Sequence, residues 1–403
     1  MEIKLEQLSE KFRSRYSTTP RFFQAPGRVN LIGEHTDYND GFVMPFAIDR
    51  RAVAAGAIRD DSRLHAYALD LNETAEIDLN ALPVTRRGNW VDYVEGTVRC
   101  VAERFGIAPR GADLMISSTV PIGAGLSSSA ALEISIGLAY LALTETAIDR
   151  KELAFAGQQA EHKFAGTRSG IMDQFAAAFG KSGDAMLLDC RSLDIDYIPI
   201  AHEAATIVVI DTKVKHNLAS SEYNVRRSEC EEAVEILQKV MPEITSLRDM
   251  TIGTLETHAR LLSDVVLRRC RHVVTENDRT QSAALAFRQG DFETAGRLMY
   301  ESHRSLRDDY EVSCLELDTL VEIASSVDGV FGARMTGGGF GGCTVNLVET
   351  KMVETLREKV LNDYAARFGE DPGFYIFQPA DGASEITASG TARSPIEASG
   401  SSM

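Results

Sequence analysis

The stretch Val120-Pro121-Ile122-Gly123-Ala124-Gly125-Leu126-Ser127-Ser128-Ser129-Ala130-Ala131-Leu132-Glu133 decides how this chain is built. Glycines at 123 and 125 let the backbone turn its N–H groups inward, and three serines add hydroxyls. An apolar run over 134–143 follows at once and reads as a helix. Unpaired N–H groups and the positive end of the helix dipole then converge on one spot, a place for phosphate oxygens. This is not a Walker A loop, because no Gly-Lys-Ser/Thr closes it. A serine N-cap on an ordinary helix is the competing account, yet three serines after paired glycines exceed what a cap needs.

Toward the N-terminus lies a second unusual segment, Ala25-Pro26-Gly27-Arg28-Val29-Asn30-Leu31-Ile32-Gly33-Glu34-His35-Thr36-Asp37-Tyr38-Asn39, directly after the strand-like Arg21-Phe22-Phe23. A core segment has no use for so many polar groups, because burying each without a partner costs a few kcal/mol. The density suits a small ligand rich in hydroxyls, such as a sugar, which carboxylates accept from and Arg or His can donate to. A polar turn with an Asx-type cap is the plainer alternative.

Two further segments stand out. Met335-Thr336-Gly337-Gly338-Gly339-Phe340-Gly341-Gly342-Cys343 contains a literal G-x-G-x-x-G. A dinucleotide site needs a helix next, whereas Cys343-Thr344-Val345-Asn346-Leu347-Val348 is strand-like, so that reading is rejected. A tight hairpin, or a close backbone approach to a ligand or another loop, remains. In Glu161-His162-Lys163-Phe164-Ala165-Gly166-Thr167-Arg168-Ser169-Gly170-Ile171-Met172-Asp173-Gln174, the carboxylate Asp173 sits among apolar neighbours. Such a group is either neutralised by structural partners or used chemically. Glu161 with His162 lacks the HExxH pattern of a zinc protease.

At 403 residues the chain suits two domains, and 44% hydrophobic with 25% charged residues suits a globular protein. The net charge of −17 would repel a phosphate backbone, so no nucleic-acid partner is expected, although a local loop of N–H groups can still hold a nucleotide. Six scattered cysteines without a CxxC pair read as thiols of a reducing compartment. The N-terminus lacks a signal-peptide core, and the run over 134–143 is too short to span a bilayer, so a cytoplasmic protein without a membrane partner is expected. Periodicity predicts strands over 52–58, 64–69, 75–79, 112–117, 185–189, 207–210, 330–335, 344–348 and 373–377. Helices are predicted over 91–105, 152–164, 171–179, 222–241, 254–275, 292–306, 315–325 and 353–368, besides an opening one. The texture changes near residue 200, which we take as the domain boundary, and the tail over 382–403 reads as disordered.

In this order the four segments closely resemble the GHMP family of small-molecule kinases, and within it the galactokinase group. Residues 27–39 match that group's signature nearly residue for residue, 121–130 the family's phosphate loop, and 336–342 its third motif. A further match is Lys215-His216-Asn217-Leu218-Ala219-Ser220-Ser221-Glu222-Tyr223, followed by Val225-Arg226-Arg227. Only the first motif is specific to the galactokinase group. The resemblance implies an α+β fold of two domains. Residues 1–200 would form an α/β domain like the second domain of ribosomal protein S5. Residues 201–381 would form a ferredoxin-like α+β domain, with the active site in the cleft between the two.

The resemblance further implies ATP-dependent phosphorylation of the anomeric hydroxyl of α-D-galactose, the opening step of galactose breakdown. Asp173 matches the family's catalytic base, and Arg28 the residue that keeps it ionised. Glu34, His35, Asp37, Gly170 and Tyr223 match sugar-binding positions. Gly123, Ala124, Gly125, Leu126, Ser127, Ser128 and Ser129 would cradle the phosphates of ATP, while Trp90 and Tyr93 match aromatics near the base, with core packing as their alternative. Ser129 and Glu161 match the residues that hold Mg²⁺, using the hard oxygens this ion prefers. A monomer is expected. Asp49, where relatives often have Glu, is given no role, and Ala124 replaces a frequent glycine. A kinase for N-acetylgalactosamine or another sugar is the nearest alternative. A sensor that binds galactose and ATP without catalysis is another, disfavoured because Ser127–Ala130, Arg28 and Asp173 are intact.

Overall fold

The computed structural model describes residues 3–83, 86–200, 202–214 and 219–393. Lys215, His216, Asn217 and Leu218 of the fourth matching motif lie outside the described residues, as does the tail from 394. In chain order come α1 (Leu5–Tyr16), β1 (Arg21–Asn30), β2 (Phe42–Val43), β3 (Pro45–Ile58), β4 (Arg63–Ala68) and β5 (Glu73–Asp78). Then follow α2 (Trp90–Phe105), β6 (Ala112–Ser118), α3 (Ser128–Leu143), α4 (Arg150–Ala160), a π-helical turn (Glu161–Ala165) and α5 (Met172–Phe179). Strands β7 (Asp184–Asp189), β8 (Asp194–Pro199) and β9 (Ala205–Asp211) precede α6 (Ala219–Leu237), α7 (Ile252–His258), α8 (Asp264–Gln289), α9 (Phe292–Asp308) and α10 (Leu315–Ser325). The chain closes with β10 (Val330–Thr336), β11 (Cys343–Glu349), α11 (Val353–Phe368), β12 (Gly373–Ile376), β13 (Ser384–Ile386) and β14 (Ala392–Arg393).

The first sheet runs β14-β13-β1-β3-β6-β4-β5, antiparallel except for β4 on β6. Strand β1, paired between β13 and β3, continues through the polar segment as far as Asn30 instead of ending at Phe23. Pairing of β1 with β3 shifts register between Pro26 and Arg28. Pro26 has no N–H to give and Gly27 no side chain, which is where a bulge forms and re-aims the next side chain. A Cβ on Gly27 would lie 2.5 Å from the Leu126 carbonyl oxygen, so this bend brings β1 against the phosphate loop. One sheet face packs on α2 to α5 through Phe23, Leu114, Val98, Ile134 and Leu153. The other takes α1 through Leu8 and Phe12.

The second sheet runs β10-β11-β9-β12. Numbered along the chain this is the order 2-3-1-4 of a ferredoxin-like fold, with α10 and α11 as its crossing helices. A core that includes Val29, Ile32, Val120, Leu126, Phe287, Leu298 and Val345 joins the two sheets. The site therefore forms where both halves share one apolar seam. No helix among the described residues is long and apolar enough to cross a membrane.

Two expectations need correction. The helix predicted over 254–275 is broken: α7 ends at His258, and Ser263 caps a new helix by accepting from Val266 N–H. A Ser-Asp pair inside the periodic run was the overlooked start signal. The segment from 382, read as disordered, is ordered as far as Arg393. Ser384–Ile386 extends the first sheet, with Ile386 opposite Phe22 and Arg21 paired to Glu385. Its polar composition hid it, because a strand bonded on both sides, to β1 and to β14, is held by backbone hydrogen bonds and needs little apolar surface of its own.

Strand β10 reaches the site by way of a glycine contact. A Cβ on Gly296 of α9 would lie 2.0 Å from the Phe331 carbonyl oxygen. Backbone on both sides leaves nothing that can rotate away. We expect Gly296→Ala to destabilise the fold by about 1–3 kcal/mol, read as a lowered thermal midpoint. An unchanged midpoint would show that helix and strand can separate freely.

Candidate active site

Arg28 is aimed by the bulge in β1 and is 5% exposed. Its Nε and Nη2 donate to the two carboxylate oxygens of Asp173 at 2.8 and 2.9 Å. Its Nη1 donates to the Gly125 carbonyl at 2.6 Å, so one guanidinium ties β1, the phosphate loop and α5 together. Burial opposes its charge, but Asp173 and Glu34 more than offset this and hold it above its usual range. Ser127 stands at the N-cap of α3 with φ 57, yet its side chain makes no cap. Its Oγ donates to Asp173 Oδ2 at 2.5 Å, which answers the capping account: this serine serves the carboxylate.

The polar segment leaves β1 and turns sharply, with φ 97 at Gly33 and φ 62 at His35. Internal bonds brace it: Thr36 Oγ1 donates to the Gly33 and Phe42 carbonyls, and Asn39 Nδ2 to the His35 carbonyl. The rest of its support comes from the second half of the chain. Glu276 accepts from Gly33 N–H at 3.0 Å, Asn277 from Phe42 N–H at 2.9 Å, and His272 Nε2 lies 3.1 Å from the Glu34 carbonyl. Glu34 Oε1 accepts from Gly337 N–H at 2.8 Å and Thr336 Oγ1 at 3.1 Å, beside the fully buried Arg334. Asp37 closes against Gly170, where a Cβ would lie 2.0 Å from its carboxyl carbon, so no side chain fits there.

Residues Gly337 to Gly342 join β10 to β11 as a hairpin and also touch the phosphate loop. A Cβ on Gly337 would lie 3.0 Å from the Gly125 carbonyl, and one on Gly342 3.2 Å from that of Ala124. Both open accounts of this motif therefore hold at once. Between these loops lies a cavity of about 260 Å³. Arg28, Glu34, His35, Asp37, Asp173 and Tyr223 line it together with Gly123, Gly125, Leu126, Ser127, Ser128, Ser129 and Glu161. A larger hollow of about 530 Å³, next to α1 and Asp49, contains none of them.

Other expected residues stand back from the cavity. Ala124 is buried, with its side chain in the core shared by the two halves. Trp90 packs on the first core and donates from Nε1 to Glu73 at 2.6 Å, while half-buried Tyr93 feels the charges of Glu161 and Glu133. The cavity also has lining that sequence reasoning missed: Thr167, Ser169, Met172 and Gly338. Behind it, Ser169 Oγ donates to Glu161 at 2.6 Å, and Gln174 Nε2 bridges Glu161 and Glu133 at 3.2 and 2.9 Å. Burial raises the pKa of Glu161 and, more strongly, of Glu133. A lone acid in the second turn of an otherwise apolar helix was the available signal for Glu133.

Among the described residues, no group of three or more His, Cys, Asp or Glu side chains is arranged to hold a metal. The pair Ser129 and Glu161, 3.3 Å apart, still offers the two hard oxygens with which Mg²⁺ commonly meets a protein while phosphates and water fill its other positions. The residues present thus fit that ion as a companion of the nucleotide.

A glycine–serine loop at a helix start, beside an arginine-held carboxylate and a polar sugar-sized cavity, defines a small-molecule kinase of the GHMP type. Family models agree: the GHMP kinase N-terminal domain matches residues 92–181, the GHMP kinase C-terminal domain 283–366, and the galactokinase galactose-binding signature 10–58. A galactokinase of Chloroflexus aurantiacus is 45% identical over 366 residues, 91% of this chain and 93% of its own. One from a Roseiflexus species is 44% identical over 94% of this chain and 97% of its own. The crystal structure of Lactococcus lactis galactokinase complexed with galactose superposes with a TM-score of 0.91 at 36% identity, covering 95% of this chain and all of that one. Methanococcus jannaschii mevalonate kinase shares the fold, with a TM-score of 0.61 at 20% identity over 90% of this chain and 99% of that one. The chain belongs to the galactokinase family of sugar kinases.

Burial and the nearby charge of Asp173 raise the pKa of Asp37 from 3.8 to about 7. A carboxyl group that keeps its proton longer in the fold than in the unfolded chain favours the fold at low pH, and that advantage is lost as pH rises through this window. Without ligand, Asp37→Asn should therefore gain thermal stability over the wild type progressively between 3.8 and about 7. A difference that is flat over this range would place Asp37 as ionised throughout.

Proposed function

We propose that this chain transfers the γ-phosphoryl group of ATP to the C1 hydroxyl of α-D-galactose, giving galactose 1-phosphate and ADP. The observation that carries the reading is the Arg28–Asp173–Ser127 constellation, held where the sugar segment and the phosphate loop meet. Phosphoryl transfer asks little covalent work of a protein, so positioning and charge dominate. In this reading Asp173 takes the proton of the C1 hydroxyl while that oxygen bonds to the γ-phosphorus and the bond to ADP breaks. Arg28 fixes the carboxylate with two bonds and ties it to the Gly125 carbonyl, so base and phosphate loop keep one register. Glu34, His35, Asp37, Gly170 and Tyr223 would receive the sugar.

Phosphates would lie on the loop from Gly123 to Ser129, with Trp90 and Tyr93 on the side of the nucleotide base. Mg²⁺ held by Ser129 and Glu161 would screen the negative charge of the phosphates. Its place is consistent with a cavity lined by four carboxylates and one arginine, which would otherwise repel a polyphosphate. Residues 1–200 would supply the phosphate and sugar loops, and residues 201–381 Tyr223 and the glycine hairpin. The reading also takes the protein as a cytoplasmic monomer that needs neither nucleic acid nor membrane.

The test is an ADP-release assay across galactose, glucose, N-acetylgalactosamine and arabinose, with the phosphate position read by NMR. Preference for galactose with the phosphate on C1 is expected. Turnover of none of the four would sink the kinase reading, and preference for the acetylamino sugar would replace the substrate. Asp173→Asn should lower kcat by about 10²–10⁴-fold while calorimetry still detects galactose binding. Near-normal turnover would remove Asp173 from the chemistry.

A further inference from the structure

A chain of hydrogen bonds leads from the cavity into the second half of the molecule. His35 Nδ1 lies 2.8 Å from the Tyr38 hydroxyl, which lies 2.8 Å from that of Tyr310. Cys230 Sγ closes the chain at 3.2 Å from the Tyr310 hydroxyl. His35, Tyr310 and Cys230 are 3%, 0% and 1% exposed and Tyr38 is half-buried, so the far end of the chain is closed to water. The aromatic rings are packed together, with His35 and Tyr310 centroids 4.8 Å apart and His35 and Tyr223 centroids 5.1 Å apart. The other ring nitrogen, His35 Nε2, is buried and has no hydrogen-bond partner of good geometry among the described residues, while the residue itself lines the cavity and the Gly338 backbone lies close enough to the ring to bear on its charge. Burial keeps the imidazole neutral, lowering its pKa to about 3.

Each link holds one proton, so the chain can run in only two directions. In the first, the thiol donates to Tyr310, Tyr310 to Tyr38 and Tyr38 to His35 Nδ1, which leaves the imidazole proton on Nε2. In the second, Nδ1–H donates to Tyr38 and the sulfur must end the chain as acceptor. A phenol donates better than a neutral imidazole N–H, a bare ring nitrogen accepts well, and sulfur accepts weakly. The first direction puts the best donor on the best acceptor, and the link at sulfur is weak either way, because a thiol is a weak donor and a weak acceptor. Either direction leaves a buried polar group at Nε2 facing the cavity, an N–H in the first and a lone pair in the second, for a ligand to satisfy.

We propose that Tyr38 and Tyr310, backed by Cys230, are positioning residues that fix His35 as its Nε2–H tautomer, so that it meets the substrate as a hydrogen-bond donor. This rests on the galactose reading above. The sugar segment then presents His35 as a donor beside the carboxyl groups of Glu34 and Asp37. A hydroxyl that accepts from His35 and donates to a carboxylate is satisfied in both roles, and an epimer that misplaces it leaves a buried group unpaired.

The test uses full-length enzyme carrying ¹⁵N-labelled histidine. In the wild type, the His35 resonances should show Nε2 protonated and Nδ1 bare, with and without galactose. In Tyr38→Phe the tautomers should mix, and KM for galactose should rise about two- to tenfold while kcat and KM for ATP stay unchanged. Tyr310→Phe keeps the link to His35 but breaks the chain behind it, and should also yield a mixture. A protonated Nδ1 in the wild type, or a pure Nε2–H signal in both variants, overturns the proposal. A wild type that turns over no galactose would instead sink the substrate reading and leave the tautomer result standing.

Discussion

The pair of buried Arg28 and half-buried Asp173 is the constraint around which the rest is arranged. Taking both charges from water costs several kcal/mol, and replacing such a pair with apolar residues often stabilises a fold. The pair is therefore poor evidence of stability and good evidence of chemistry. Its geometry shows what offsets the cost: the guanidinium has two carboxylate bonds and a backbone carbonyl, and the carboxylate has a serine hydroxyl as well. Each partner sits on a different element. The bulge at Pro26, the left-handed Ser127 and the start of α5 must all be correct before any of these bonds can form.

The sugar segment obeys a second constraint. His35 is a non-glycine residue in the left-handed region, which persists only where the surroundings over-determine it. Those surroundings come from the far half of the chain: Glu276, Asn277 and His272 on α8, and Arg334 to Gly337 at the end of β10. Residues 33–42 thus cannot take this form on the first half alone. Assembly of the two halves and formation of the sugar pocket are one event.

The sequence made legible the residues that expose chemistry locally. Arg28, Glu34, His35 and Asp37 stood out because polar groups crowd one segment, and the serine loop because glycines and a helix start adjoin. Their partners were illegible for a physical reason. Arg334 lies in a strand and Glu276 in a long helix, where a single polar residue looks like surface until burial is known. Asp173 was visible as a misplaced acid, but its pairing across 145 positions was supplied by resemblance and by the fold, not by pattern. The short strand at Ser384–Ile386 was lost because backbone pairing leaves little trace in side-chain composition.

The glycine motifs show why two readings that looked like alternatives were one. Gly337 is needed as a turn residue, with φ 85, and also as a surface without a side chain, since its missing Cβ would press on the Gly125 carbonyl. That same carbonyl accepts from Arg28. Backbone therefore meets backbone directly beside the Arg28–Asp173 pair, with no side chain between to act as an adjustable spacer. The width of the cleft at that point is set by the covalent geometry of two loops. For a reaction governed by the placement of an attacking oxygen, where about 1 Å of error costs a factor of about 10², a spacing fixed by main chain is the more reliable device.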